Sequence, residues 1–217
     1  MVCSTTRVST WAIVVAAGGG TRFGAAKQFA RLGGATVLDR SLRAALRVVD
    51  GAVVVLPPDS SWMPPDGVHT AIGGATRSES VRAGLACVPA DATVVVVHDA
   101  ARPLASPALF RAVIDAVHAG ADAAVPALAI GDTIKHHEAG GAVTTVDRDG
   151  LHAAQTPQAF AAAALRAAHS TAGDGTDDAM LVETAGGTVV LVPGERRNFK
   201  ITVADDLEIA AALVDSP

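Results

Sequence analysis

The 217-residue chain has no tyrosine, and only 3% of its residues are aromatic. Stacking platforms for single-stranded nucleic acid are thereby excluded as a main theme. Basic residues are also few: 17 Lys and Arg stand against 22 Asp and Glu, a net charge of −5, and no basic run could track a phosphate backbone. Nucleic acid is not an expected partner. Long apolar runs are missing as well. The longest, such as residues 93–97, are strand-length and end in charge, whereas a membrane span needs about 20 apolar residues. Residues 1–11 are polar, with no apolar stretch before a small-residue cleavage site, so they do not read as a signal peptide. The two cysteines, Cys3 and Cys87, lie far apart with no His or Cys at ligand spacing. A reduced, cytoplasmic protein without structural zinc is the expectation.

What is abundant is small and aliphatic. Half of the residues are hydrophobic, enough for one sizeable core, and a single domain over residues 1–217 is expected. Short β-branched runs recur at residues 12–15, 52–56, 93–97, 123–125 and 188–192. Each is nearly continuously apolar, as strands buried on both faces are. Helical spacing occupies residues 37–49, 78–87 and 203–214, and residues 159–168 read as an alanine-rich helix. Ser106 followed by Pro107 is a helix start leading to about His118. Alternating strands and helices predict an α/β fold, a mostly parallel sheet with helices on both faces. Residues 131–148 break the pattern with two strand-like pieces joined by a Gly-rich turn. They read as a hairpin with too few core-sized residues for the main body. Either a surface hairpin or an arm packed on a second subunit fits that composition.

The first strand runs directly into Ala16, Ala17, Gly18, Gly19 and Gly20, followed by Arg22 and Lys27. Successive glycines after a buried strand let backbone N–H groups approach an anion, and the two cations add charge at the same mouth. A flexible glycine turn is the plainer alternative. The Walker Gly-Lys-Ser/Thr is absent, and a dinucleotide fingerprint on Gly18 and Gly20 lacks its third glycine.

Asp99 closes the most apolar strand, where ligands bind in open α/β sheets. Beside a bound triphosphate it is placed to hold Mg²⁺, which takes one or two carboxylates plus phosphate oxygens. The alternative is a strand-end turn residue paired to Arg102, and His98 reads as structural. Asp177 and Asp178 read as capping and charging the start of the following helix, in preference to metal binding. Lys200 interrupts a short apolar run, either as an edge-strand guard or as a cation aimed into a site.

Taken together and in order, AAGGGTRFG..KQF, GG.....S, HDAARP, DTIK, AQTPQAF, TDDA and NFKIT resemble the cytidylyltransferases acting on 2-C-methyl-D-erythritol 4-phosphate in the non-mevalonate isoprenoid pathway. The resemblance covers residues 12–213. It implies a Rossmann-like nucleotidyltransferase fold, homodimers formed through the hairpin as a β-arm, and transfer of CMP from CTP with release of pyrophosphate. It assigns Arg22, Lys27 and Lys200 to the phosphates and the catalytic step. Ala16, Ala17, Gly74 and Ser80 then frame cytosine and ribose beside the glycine loop, and Asp99 carries Mg²⁺ or another divalent cation. Arg102 and Thr156 serve the acceptor, with Thr133 and Arg148 reaching in from the partner's arm.

The nucleophile such a reaction needs is a phosphate oxygen already ionised at neutral pH. The absence of a Cys-His or Ser-His pair is therefore expected. Three features depart from the family pattern: a shorter loop between Arg22 and Lys27, Val15 where proline is usual, and Ala75 where aspartate is frequent. A cytidylyltransferase for another polyol phosphate, such as ribitol 5-phosphate, shares most of these motifs. A nucleotide-binding protein without catalysis is the remaining alternative, and an NAD-dependent dehydrogenase a weaker one.

Overall fold

A computed structural model describes residues 9–19, 26–171 and 173–215. The strands are β1 (Thr10–Val15), β2 (Arg31–Leu32), β3 (Ala35–Thr36), β4 (Gly51–Leu56), β5 (Val68–Ile72), β6 (Val94–Asp99), β7 (Ala123–Ala129), β8 (Ile134–His137), β9 (Val143–Val146), β10 (His152–Ala154), β11 (Gln158–Ala161) and β12 (Val189–Pro193). The helices are α1 (Val37–Ala45), α2 (Arg77–Ala86), α3 (Pro107–His118), α4 (Ala162–Thr171), α5 (Asp178–Thr184) and α6 (Ala204–Asp215).

Strands β5, β4, β1 and β6 run parallel in that order, and β11 joins β6 antiparallel. On the far side of β11 lies β7, with β12 parallel to it on its other edge. The sheet is thus mostly parallel and Rossmann-like, as the alternation of elements predicts. Period-two geometry sorts each central strand between two cores. Ala12 and Val14 of β1, Ala52 and Val54 of β4, and Val94 and Val96 of β6 face a cluster that includes Leu38 of α1 and Phe110 of α3. Ile13, Val53, Val55, Val95 and Val97 face the opposite cluster, with Val81 of α2, Leu165 of α4 and Leu181 of α5. Both faces are therefore covered, which is why these strands carry almost no polar residue.

Local signals set the helix starts. Thr36 and Asp39 form a reciprocal capping box on α1, Thr76 and Glu79 do the same on α2, and Ser106 caps α3 ahead of Pro107. Gly84 lets α2 lie close on the sheet, since a Cβ there would fall 2.6 Å from Ile13 Cγ2. Arg166 of α4 donates to the Val88 and Pro89 carbonyls beyond the end of α2 at 3.1 and 3.0 Å, tying the two helices together.

Several boundaries differ from the sequence reading. Helix α1 ends at Ala45 rather than near residue 49. The alanine-rich stretch 159–168 divides: Gln158–Ala161 is strand, and the helix starts at Ala162. Alanine's helix propensity is overridden there because Ala159 and Phe160 fill a fully buried place between β6 and β7. Strand β5 escapes pattern reading because it is an edge strand, with only Val68 of its five residues buried. The hairpin is present as β8 and β9, a separate two-stranded sheet in which every residue is exposed except the half-buried Ile134 and Val146.

Candidate active site

The carboxyl ends of β1 and β6 and the segment after β5 converge on a cavity of about 380 Å³. Ligands bind at this edge in open α/β sheets, in the crevice outside the carboxyl ends of the strands where the strand order reverses. Ala16, Ala17, Gly18 and Gly19 line one wall, with Lys27 beside them, and Gly74 and Ser80 line the facing wall. Asp99 and Lys200 form the floor. These nine sequence-predicted residues are brought together. Gly20 and Arg22 lie outside the described residues.

The glycine loop is held from below by a residue the sequence reading missed. Gln28 is 4% exposed, and its side-chain amide donates to the Ala16 carbonyl at 2.8 Å and the Gly18 carbonyl at 3.3 Å. Its place next to Lys27 was the available signal. A Cβ added at Gly18 or Gly19 would meet nothing within 4 Å among the described residues. Gly73 is the contrary case. A Cβ there would sit 2.2 Å from Ala17 Cβ, so the two walls meet only because position 73 has no side chain.

Asp99 is the electrostatic centre. Its Oδ2 accepts from Lys200 Nζ at 2.7 Å, and its Oδ1 is 3.5 Å from Arg77 Nε. Burial alone would raise its pKa, but Lys200 and Arg77 outweigh that and hold the carboxyl well below the usual carboxylate range. Lys200 is therefore a cation aimed into the site rather than an edge guard. Asp99 does open a strand-end turn, its carbonyl accepting from the Arg102 N–H at 3.0 Å. Its carboxylate, however, is left to Lys200 and Arg77, since the Arg102 guanidinium donates to the Asn198 carbonyl at 2.7 Å and the Ala154 carbonyl at 3.5 Å. Burial, only partly opposed by Asp99, lowers the Arg102 pKa.

A second chamber, about 300 Å³, adjoins the first and shares Arg77, Asp99 and Lys200 with it. Arg102 and Thr156 line it, as do Gln158 and Thr176. The Thr156 hydroxyl accepts from the Asp99 backbone N–H at 3.0 Å and lies 3.1 Å from His98 Nδ1. His98 Nε2 lies 3.2 Å from the Arg102 carbonyl, an acceptor only. That assigns the proton to Nε2 and leaves Nδ1 to accept from Thr156. Burial lowers the His98 pKa to about 4, so the ring is neutral near pH 7. It is fully buried and serves structure.

Asp177 caps α5 as expected, accepting from Met180 N–H at 2.9 Å. Asp178 stands in the first turn of α5, as the charge half of that expectation has it, but its side chain does not cap. It is fully buried, with Oδ2 2.7 Å from Arg77 Nη1 and Oδ1 3.0 Å from His169 Nε2. Thr133 and Arg148 are exposed and line neither chamber; the Arg148 guanidinium donates to the Gly131 carbonyl at the base of the hairpin.

Comparison with known proteins agrees with this geometry. A family profile described as "IspD: 2-C-methyl-D-erythritol 4-phosphate cytidylyltransferase" matches residues 10–216. The chain is 47% identical over 222 residues to the bifunctional enzyme IspD/IspF of Anaeromyxobacter dehalogenans, covering 94% of this chain and 57% of that protein. It therefore spans little more than half the length of such bifunctional relatives. It is 45% identical to the 2-C-methyl-D-erythritol 4-phosphate cytidylyltransferase of Rhodococcus jostii, over 94% of both chains. The crystal structure of the Thermus thermophilus cytidylyltransferase superposes with a TM-score of 0.82 at 37% identity, covering 94% of this chain and 98% of that one. With a family profile spanning nearly its whole length and relatives matched end to end, this chain belongs to the 2-C-methyl-D-erythritol 4-phosphate cytidylyltransferase family.

Proposed function

We propose that this nucleotidyltransferase joins CMP from CTP to 2-C-methyl-D-erythritol 4-phosphate, releasing pyrophosphate, with CTP in the larger chamber and the acceptor in the smaller. The observation that carries the reading is the Asp99–Lys200 pair on the wall the chambers share. An acceptor phosphate in one chamber and the α-phosphate of CTP in the other would meet there.

The attacking oxygen belongs to a phosphate monoester, whose second pKa near 6 leaves it dianionic at neutral pH. No base is required, in keeping with a neutral, buried His98. What must be overcome is repulsion between two anions in an in-line displacement. Lys27 and Lys200, together with Arg22, supply positive charge around the α-phosphate, and positioning supplies the rest. Ala16, Ala17, Gly74 and Ser80 frame the base and ribose, and the backbone at Gly18, Gly19 and Gly20 receives the phosphates. Arg102 and Thr156 bound the acceptor.

Among the described residues no three His, Cys, Asp or Glu side chains form a metal cage. Mg²⁺ needs none when phosphate oxygens and water complete its shell. An ionised Asp99 on the cavity floor fits that pattern as the single carboxylate. Held there, the metal would supply charge neutralisation on the triphosphate, with Asp99 as its protein ligand.

The arm is read as the dimer contact. Thr133 and Arg148 stand apart from both chambers of their own chain and serve a partner's acceptor chamber in a homodimer. No described helix is long and apolar enough to cross a membrane. We read the enzyme as cytoplasmic and without nucleic-acid or membrane partners on its composition, a net charge of −5 with no basic run and no long apolar run. A pyrophosphate-release assay with CTP, Mg²⁺ and a panel of polyol phosphates tests the reading. Turnover with methylerythritol phosphate far above ribitol 5-phosphate is expected; the reverse order, or CTP binding without pyrophosphate release, would sink it.

A further inference from the structure

Arg77 is absent from the site read from the sequence, yet it joins two carboxylates of different elements, Asp99 and Asp178. As the first residue of α2 it lines both chambers. Its Nη1 donates to Asp178 at 2.7 Å, and its Nε lies 3.5 Å from Asp99 Oδ1. Asp178 is itself fixed, fully buried on α5 with its other oxygen 3.0 Å from His169 Nε2. The far oxygen of Asp99 holds Lys200. A continuous polar chain therefore runs from His169 through Asp178, Arg77 and Asp99 to Lys200, from the α4–α5 layer to the wall between the chambers.

We infer that Arg77 is a positioning residue for the transfer: it fixes the Asp99 carboxylate, and through it the Lys200 ammonium, at the boundary of the two chambers. The inference rests on the cytidylyltransferase reading. A carboxylate on a strand end can turn about its side-chain bonds, and among the ion pairs of the described residues only Arg77 occupies its Oδ1 side. A planar guanidinium presents separate nitrogens to two carboxylates on different elements, here Nη1 to Asp178 and Nε to Asp99, whereas an ammonium gathers its donors on one nitrogen at the chain's end. Opposing charges also explain the residue's own state. Burial disfavours the charged form, but Asp178 and Asp99 outweigh it and raise the Arg77 pKa.

A purely structural role, neutralising buried Asp178, must be told apart from positioning. Removing the guanidinium outright would leave Asp178 as an uncompensated buried charge and endanger the fold. The informative variant is Arg77→Lys, which keeps a cation for Asp178 but removes the Nε that faces Asp99. We expect a thermal midpoint close to that of the parent, kcat lowered about 10- to 100-fold, and KM for CTP within about threefold, because loss of reacting geometry falls on the chemical step. In an Asp99→Asn background the same substitution should change kcat less than about twofold, because its path of action is already cut.

A second variant, Arg77→Met with Asp178→Asn, removes both buried charges together and should show the same kcat loss in a folded protein. Parent-like kcat in Arg77→Lys, or losses that multiply with Asp99→Asn, would overturn the inference. Should Arg77→Lys fail to fold, the paired variant decides by the same criterion. The parent enzyme in the same assay separates the two levels: an inactive parent overturns the reaction reading and this inference with it, whereas an active parent matched by Arg77→Lys overturns the inference alone.

Discussion

The floor of the cavity and the β8–β9 hairpin are opposite ways of placing charge. Asp99 is 8% exposed, held between two cations, and its own backbone N–H is taken by Thr156. Arg148 is exposed, on a hairpin that buries no side chain fully and pairs with nothing but itself. One region is complete within the chain; the other has a fixed shape and no covered face. Residues that act within their own chain are preorganised by packing, and those proposed to act on another chain are held out on a two-stranded ribbon. A ribbon of that kind is marginal without further packing.

The comparison predicts where damage is greatest. Lys27→Ala and Lys200→Ala should each lower kcat by about 10²- to 10³-fold with an unchanged circular dichroism spectrum, since each removes a preorganised charge. Near-parental rates in both would mean that the packed half of the molecule does not carry the chemistry. On the other side, Thr133→Ala with Arg148→Ala should reduce turnover about 10²-fold at unchanged stability. Mixing this variant with Lys27→Ala should restore about a quarter of parental activity: half of the dimers are mixed, and each of those has one intact site of two. No recovery under verified subunit exchange would place the arm's role within its own chain.

Acid should act on the packed region first. The folded pKa of His98 is about 4, below its ordinary 6.5. Between these values the unfolded chain binds the proton and the folded one does not, so stability falls as pH drops from about 6.5 toward 4 and this contribution levels off below. The loss is on the order of 3 kcal/mol. Asp99, whose pKa is lowered by folding, adds stability that persists above about 3.8 and goes only in stronger acid. Thermal midpoints against pH, with His98→Asn as the reference, should show the first loss flattened in the variant.

The smallest effect belongs to the ribbon. Leu38→Ala, at a fully buried position, should cost about 2–5 kcal/mol in urea unfolding. Val143→Ala, at a position 58% exposed, should cost less than about 0.5 kcal/mol at low protein concentration. A cost at Val143 that grows with concentration would reveal a second chain packed on it.

The architecture was largely legible because the central strands are buried on both faces, so Val53–Val55 or Val95–Val97 have no reading other than strand. The segment 159–161 was not, because alanine favours helix and only the neighbouring β6 and β7 decide otherwise. At the site, glycines and strand-end charge were legible since their types are unusual after an apolar run. Arg77 was hidden by its company: in a polar stretch beside Thr76 and Glu79 it looks like an ordinary helix-start residue, and its partners lie 22 and 101 positions away. Asp178 was misjudged for the same reason, its neighbour Asp177 being a true cap.

The base of the hairpin has a consequence for how this chain can be altered. Strands β7 and β10 pair directly, Ala129 opposite His152, and just beyond them the Ile130 amide donates to the Leu151 carbonyl. The main sheet thus closes its hydrogen-bonding before the chain departs and resumes it as the chain returns. Residues 131–150 are an excursion spliced in at a finished seam, so a change within them leaves the hydrogen-bonding of the main sheet intact. Alterations of the ribbon and alterations of the scaffold behind the pocket are thereby separable within one polypeptide.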